Sequence, residues 1–168
     1  VVSDDHHYLA MQLCQTTVQR AIRAGNLQTL LGQTTDVEML RRLAEGVNAI
    51  HDAGFVHNNV TLSNVLLLDG VPKLSGFSSV AQISQPTVLD TTRTTVEHAW
   101  YQAPELKTTS GSCWNSIESL HPKAADVYAL GATFHFVLTG GNTAGTRNSV
   151  ERSEDLSHEA RDLIGSMM

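Results

Sequence analysis

Cysteine is scarce: Cys14 and Cys113 are the two in 168 residues. They make no metal-ligand spacing and no disulfide framework, which indicates free thiols in a reducing compartment. Basic residues are also few. Lys and Arg total 11 against 17 Asp and Glu, for a net charge of −6. Phosphate neutralisation needs clustered cations, so this balance argues against direct nucleic-acid binding by this segment. The one basic doublet, Arg41-Arg42, falls in a helical pattern and reads as a solvated face. No apolar run approaches the length of a membrane span, and the first stretch, VVSDDHHYLAMQLC, lacks a basic leader region, so no membrane contact by this segment is expected. Eight histidines are present, yet no HExxH and no Cys/His ligand set, so surface or core positions suit them better than zinc. Internal repeats and low-complexity tracts are absent.

What remains is an ordinary globular composition, 41% hydrophobic and 17% charged, long enough for one domain with a sizeable core. Tyr8 to Leu13 (YLAMQL) suits a short buried strand. Thr16 to Ala24 reads as a short helix stopped at Gly25-Asn26. Asp36 to Ala53 is the clearest helix, with Asp36 as N-cap. Its apolar stripe is Val37, Leu40, Leu43, Ala44, Val47 and Ile50. Val65–Leu68 and Val71–Leu74 flank Asp69-Gly70, a strong hairpin signal. Gln82 to Thr95 has no periodicity and reads as a loop. Ala124 to Leu138 is apolar nearly all round and predicts a central helix; Gly141 to Ser153 is a polar connector. Leu156 to Met168 is a last amphipathic helix, capped by Ser157 or Ser153. The order predicts an α+β fold, mainly α, with one small antiparallel element.

Four short motifs fall within this frame. His57 to Asn64 (HNNVTLSN) precedes an apolar strand. Gly76-Phe77-Ser78 follows the hairpin. Ala103-Pro104-Glu105 comes after the loop, and Asp126 to Gly131 (DVYALG) opens the apolar helix. In this order and spacing they resemble the C-terminal lobe of a eukaryotic protein kinase, with its catalytic loop, metal motif, Ala-Pro-Glu motif and buried helix. The resemblance covers the whole chain. It implies a partial kinase domain over residues 1–168. Residues 1–15 would be the end of the N-terminal lobe and the hinge, and 16–168 the C-terminal lobe, truncated at both ends with the N-terminal lobe missing.

The resemblance also assigns positions. Asn59 stands where the catalytic base is an Asp, and an amide has no basic site near neutral pH. Thr61 stands at the position of a phosphate-steadying Lys. Gly76 stands at the metal-binding Asp, leaving Asn64 as the remaining metal ligand; a hard cation such as Mg²⁺ favours carboxylate oxygen. Asn64 has an equal claim to a purely structural role tying the loop together. Asn58 replaces the Arg that receives an activation-loop phosphate, and His98 stands where a Thr is common. By the same match Met11 is the gatekeeper, Gln12, Leu13 and Cys14 the hinge, and Leu66 a further nucleotide-facing residue. His57, Phe77, Glu105 and Asp126 match architectural residues. Thr91, Thr92, Thr94 and Thr95 are candidate phosphorylation sites, as are Ser79 and Ser84, although such a composition is more often a polar loop. Asn59-Val60-Thr61 is formally a glycosylation sequon, discounted because it falls inside the catalytic loop.

The segments DDHHYLAMQLCQTTVQRAI, LTGG and SHEARDLIGSMM are similar to the inositol-requiring kinase/endoribonucleases of the unfolded-protein response and the oligoadenylate-dependent ribonuclease. This implies a pseudokinase-type regulatory or scaffold segment of a stress-sensor kinase/ribonuclease. It would face the cytosol, with protein partners, kinase-lobe dimerisation and an attached ribonuclease outside this segment. ATP would belong to the full-length protein, Mg²⁺ is in doubt, and no cofactor is expected for the segment alone. Two alternatives stay open: a fragment of an active Ser/Thr kinase of the same family, and a stand-alone protein-interaction domain.

Overall fold

The computed structural model describes residues 2–3, 6–7, 10–84, 98–106, 122–140, 150 and 156–168. Its central feature is the hairpin of β5 (Val65–Leu68) and β6 (Val71–Leu74), in antiparallel register Val65↔Leu74 to Leu68↔Val71. Asp69 and Gly70 turn the chain with φ of 51° and 74°, the pair of positive values that a two-residue type I′ turn demands. A Cβ on Gly70 would also lie 2.5 Å from the Leu31 carbonyl oxygen. Val65 and Leu67 are buried while Leu66 and Leu68 are half-buried, the period-two alternation of a sheet with one face on the core.

β3 (Thr16–Thr17) adds a third strand, with Thr16 opposite Leu67 and Thr17 opposite Leu66. The strand expected over Tyr8 to Leu13 does not form in its described part, 10–13. Pairing starts instead at Gln15, whose N–H donates to the Leu67 carbonyl at 2.9 Å. Met11 and Leu13, without a sheet to bury them, are 57% and 91% exposed. Further upstream, β1 (Val2–Ser3) pairs with β2 (His6–His7).

Thr17 ends β3 and caps α1 (Val18–Arg23), its Oγ1 accepting from the Arg20 N–H at 3.1 Å. The expected helix over Thr16 to Ala24 thus loses its first two residues, the β-branched Thr16 and Thr17, to the sheet. A five-residue helix follows that the sequence pattern does not announce, α2 (Leu27–Leu31), which buries Leu27 and Leu31.

α3 (Asp36–Asp52) is capped by Thr35, not Asp36: Thr35 Oγ1 accepts from the Glu38 N–H at 3.1 Å. Asp36 starts the helix, and its carboxylate accepts from Gln28 Nε2 at 2.7 Å. The buried stripe is Met39, Leu40, Leu43, Val47 and His51. It is rotated from the expected one, so Val37 is exposed. On the solvent side Glu38 pairs with Arg41 and Arg42, and these two guanidinium groups hold its carboxyl down at about 2.

β4 (Phe55–Val56) pairs with β7 (Ala81–Gln82), so Gln82 belongs to a strand and not to the expected loop. Three small antiparallel sheets therefore occur among the described residues, where one was expected. α4 (Pro122–Leu138) begins two residues before its expected start, with Pro122 at the first helical position, where a missing N–H costs nothing. Residues 126 and 128–137 are buried. α5 (His158–Met167) is capped by Ser157, which accepts from the Ala160 N–H at 3.2 Å. It packs on α4 at Gly131, where a Cβ would sit 3.0 Å from Met167 Cβ. The core runs from Val18, Leu31, Met39 and Leu43 through Val65 and Leu67 to Phe134, Phe136 and Ile164. No helix among the described residues is long and apolar enough to cross a membrane.

Candidate active-site loop

The loop between β4 and β5 is fixed from below by one carboxylate. Asp126, 1% exposed in the first turns of α4, accepts three hydrogen bonds. The N–H of His57 donates to Oδ2 at 2.7 Å, the N–H of Asn58 to Oδ1 at 2.7 Å, and His51 Nε2 lies 2.8 Å from Oδ2. Two adjacent backbone donors are thereby satisfied by a side chain from another element, which a buried loop requires. His51 was not among the expected site residues. The available signal was its place one turn beyond Val47 on the buried stripe of α3, where a histidine needs a polar partner.

His57 is fully buried and bonded at both ring nitrogens. Nε2 donates to the Ser75 carbonyl at 2.9 Å, and Nδ1 accepts from the Asn59 N–H at 3.2 Å. These roles assign a neutral ring with its proton on Nε2. Burial pushes its pKa below the ordinary histidine value, against smaller upward effects of Asp126 and the Ser75 carbonyl. The His57 and Phe77 rings meet at 5.2 Å between centroids, so these two architectural positions are in contact, with Phe77 48% exposed.

Asn58 has φ of 60°, a left-handed conformation that asparagine tolerates, and its side-chain amide donates to the Ser79 carbonyl at 3.0 Å. Thr61 is buried, its hydroxyl 2.9 Å from that of Ser63. Asn64 Nδ2 donates to the Asn59 carbonyl at 2.9 Å. Gly76 has φ of 77° and lies against the Asn64 amide: a Cβ there would be 2.5 Å from Asn64 Cγ. Loop 57–64 and turn 75–79 contain no acidic and no basic residue except His57.

The other expected positions are placed unevenly. Gln12 is exposed and Cys14 half-buried, its thiol 3.7 Å from the Gln12 carbonyl. Leu66 sits on β5 between Thr17 and Lys73. Ala103 is buried, and the 98–101 turn docks on α4 through Trp100 and Tyr101, at 5.7 and 5.3 Å from the Phe136 ring. Glu105 lies in a 3-10 turn, Pro104–Leu106; its side chain, and that of His98, fall outside the described residues, as do Thr91, Thr92, Thr94 and Thr95.

The protein kinase domain family matches residues 1–168, and the chain belongs to that family. It is similar to the serine/threonine-protein kinase AfsK of Streptomyces griseus, 32% identical over 123 residues, covering 73% of this chain and 14% of that protein. The sensor for unfolded proteins in the ER, ire1, of Schizosaccharomyces pombe is 26% identical over 163 residues, covering 83% and 15%. The kinase/endoribonuclease ireA of Aspergillus fumigatus is 24% identical over 212 residues, covering 96% and 18%. The chain therefore spans less than a fifth of the length of these relatives.

Family membership implies Mg²⁺, and the residues do not fit it. Among the described residues no group of three or more His, Cys, Asp or Glu is arranged to hold a metal. The nearby carboxylate, Asp126, is buried and already accepts three hydrogen bonds. Asn64 offers one neutral oxygen, a poor substitute for the carboxylates a hard cation favours.

Proposed function

We propose that this domain is a pseudokinase, a kinase fold that has lost phosphoryl transfer and serves as a regulatory or scaffold segment. The observation that supports it is the split within one loop. Its architecture is intact, with Asp126 on the His57 and Asn58 amides and His57 against Phe77. Its chemistry is neutral, with Asn59, Thr61 and Gly76 at the base, lysine and metal positions. Phosphoryl transfer depends on positioning plus charge, and this loop supplies only the first. Similarity to the kinase/endoribonuclease ireA supports a role beside an attached ribonuclease; protein partners and kinase-lobe dimerisation on the cytosolic side are part of the same proposal. Met11, Gln12, Leu13, Cys14 and Leu66 would line the nucleotide face.

The test is phosphate transfer from γ-labelled ATP by the intact protein, to itself and to a generic Ser/Thr substrate. The expected result is no transfer above a heat-inactivated control. Turnover that disappears on Asn64→Ala would make the domain an active Ser/Thr kinase with substituted machinery. That second reading is favoured by the relatives named as kinases.

A further inference from the structure

We infer that the His57 ring is a proton-operated latch on Asn59: a proton at Nδ1 breaks the bond between the ring and the Asn59 amide, while the Asp126 anchor beneath the loop holds. The latch acts on the candidate site but stands on the loop geometry alone, whether or not the loop transfers phosphate.

The contacts around His57 divide by what a second ring proton does to them. Nε2 donates to the Ser75 carbonyl at 2.9 Å in either charge state. The N–H groups of His57 and Asn58 reach Asp126 through the backbone, at 2.7 Å each, and do not involve the ring. His51 Nε2 lies 2.8 Å from Oδ2 of the same carboxylate, which accepts from a neutral or a charged imidazole alike. Nδ1 of His57 is different. It accepts from the Asn59 N–H at 3.2 Å, and once protonated it is a donor facing a donor. The ring is fully buried, so an unpaired added charge is costly where it stands. Its bond to Ser75 becomes charge-assisted and holds the ring, so Asn59 is the part that yields. The Asn59 carbonyl in turn accepts from Asn64 Nδ2 at 2.9 Å, so displacing Asn59 also frees the Asn64 amide.

Few titratable groups face the latch. α4 presents Asp126 and α3 presents His51, both on the anchor. Loop 57–64, turn 75–79 and strands β4 and β7 hold no acid and no base apart from His57. Asp52 and Lys123, the charges next along the two helices, and Lys73 on β6 are exposed. Burial therefore dominates and sets the His57 ring below the ordinary 6.5, against smaller upward effects of Asp126 and the Ser75 carbonyl. The latched state binds fewer protons than the released one, so release grows as pH falls through 6.5.

The experiment is amide hydrogen exchange at single-residue resolution on the intact protein, from pH 7.5 to 5.5, with each rate divided by that of an unstructured chain at the same pH. Asn59 should lose about tenfold in protection, the factor for one proton taken up at an ordinary histidine value. The His57 and Asn58 amides, held by Asp126, should keep theirs. In His57→Gln the pH dependence at Asn59 should disappear. Should that variant fail to fold, ring nitrogen-15 shifts of His57 in the unaltered protein decide the matter. They should show Nδ1 unprotonated at pH 7.5 and taking its proton over the range in which Asn59 protection falls. Constant protection at Asn59, equal losses at His57, Asn58 and Asn59, a decline that survives His57→Gln, or ring protonation that leaves Asn59 protected overturns the inference.

Discussion

Asp126 shows how much a single buried carboxylate can organise. Its two oxygens satisfy the backbone of His57 and Asn58 and the ring of His51, which lie on two other stretches of chain. In Asp126→Asn one oxygen becomes an NH₂ group that must face a donor. Leaving one buried donor unsatisfied costs about 1–3 kcal/mol, so the variant should unfold at lower urea with an unchanged slope. An unaltered midpoint would show that the carboxylate does not hold the loop. Asp126→Ala should cost more, because it strips all three partners. At this scale the sequence was informative where the residues sit in short, ordered motifs: His57, Phe77 and Asp126, singled out by the resemblance, lie in contact in the structure. For His51 it offered only a place on the helix stripe and not the partner, because a partner 75 residues away in sequence leaves no local pattern.

Elements were legible where their own backbone chemistry specifies them. The β5–β6 hairpin forms as expected because Asp-Gly is suited to the two positive φ values of its turn. Gly70→Ala would put a Cβ into left-handed backbone and against the Leu31 carbonyl, for a loss of more than about 2 kcal/mol. A near-neutral result in urea would mean that the turn relaxes away from Leu31. At the start of α3 the hydroxyl of Thr35 satisfies the Glu38 amide. Thr35→Ala should cost about 1 kcal/mol, while Asp36→Ala, one residue on, should cost less because it removes no cap. The reverse order would restore Asp36 as the cap. Pairings between distant segments were not legible. β4 and β7 each contribute two residues, too few for any alternation to register. Ala10 to Leu13 looked like a strand on composition, but a strand needs a partner, and β5 offers its edge only from Gln15 onward.

For the whole molecule, acid should act in two separable steps. His57 and His135 both lie below the ordinary histidine value of 6.5, each chiefly through burial. A histidine with a depressed folded pKa binds fewer protons folded than unfolded, so its contribution is complete above the unfolded value and is lost as pH falls below it. For His57 the loss is also geometric, since a proton on Nδ1 would confront the Asn59 N–H. The urea midpoint should therefore decline as pH drops from 7.5 through 6.5 toward 5. His57→Gln should flatten that decline even if it lowers the plateau. Glu38 belongs to the second step. Its folded value of about 2 lies below the ordinary 4.5, so its pairing with Arg41 and Arg42 is present above 4.5 and fades toward 2. That cluster is solvent-exposed and screened by salt, whereas the buried histidines are shielded from it. Raising salt to 0.5 M should thus shrink the change between pH 4.5 and 2 and leave the one between 7.5 and 5 in place. Equal salt sensitivity in both windows would mean that the upper step also comes from surface charge, and that the His57 loop is not where the fold first yields to acid.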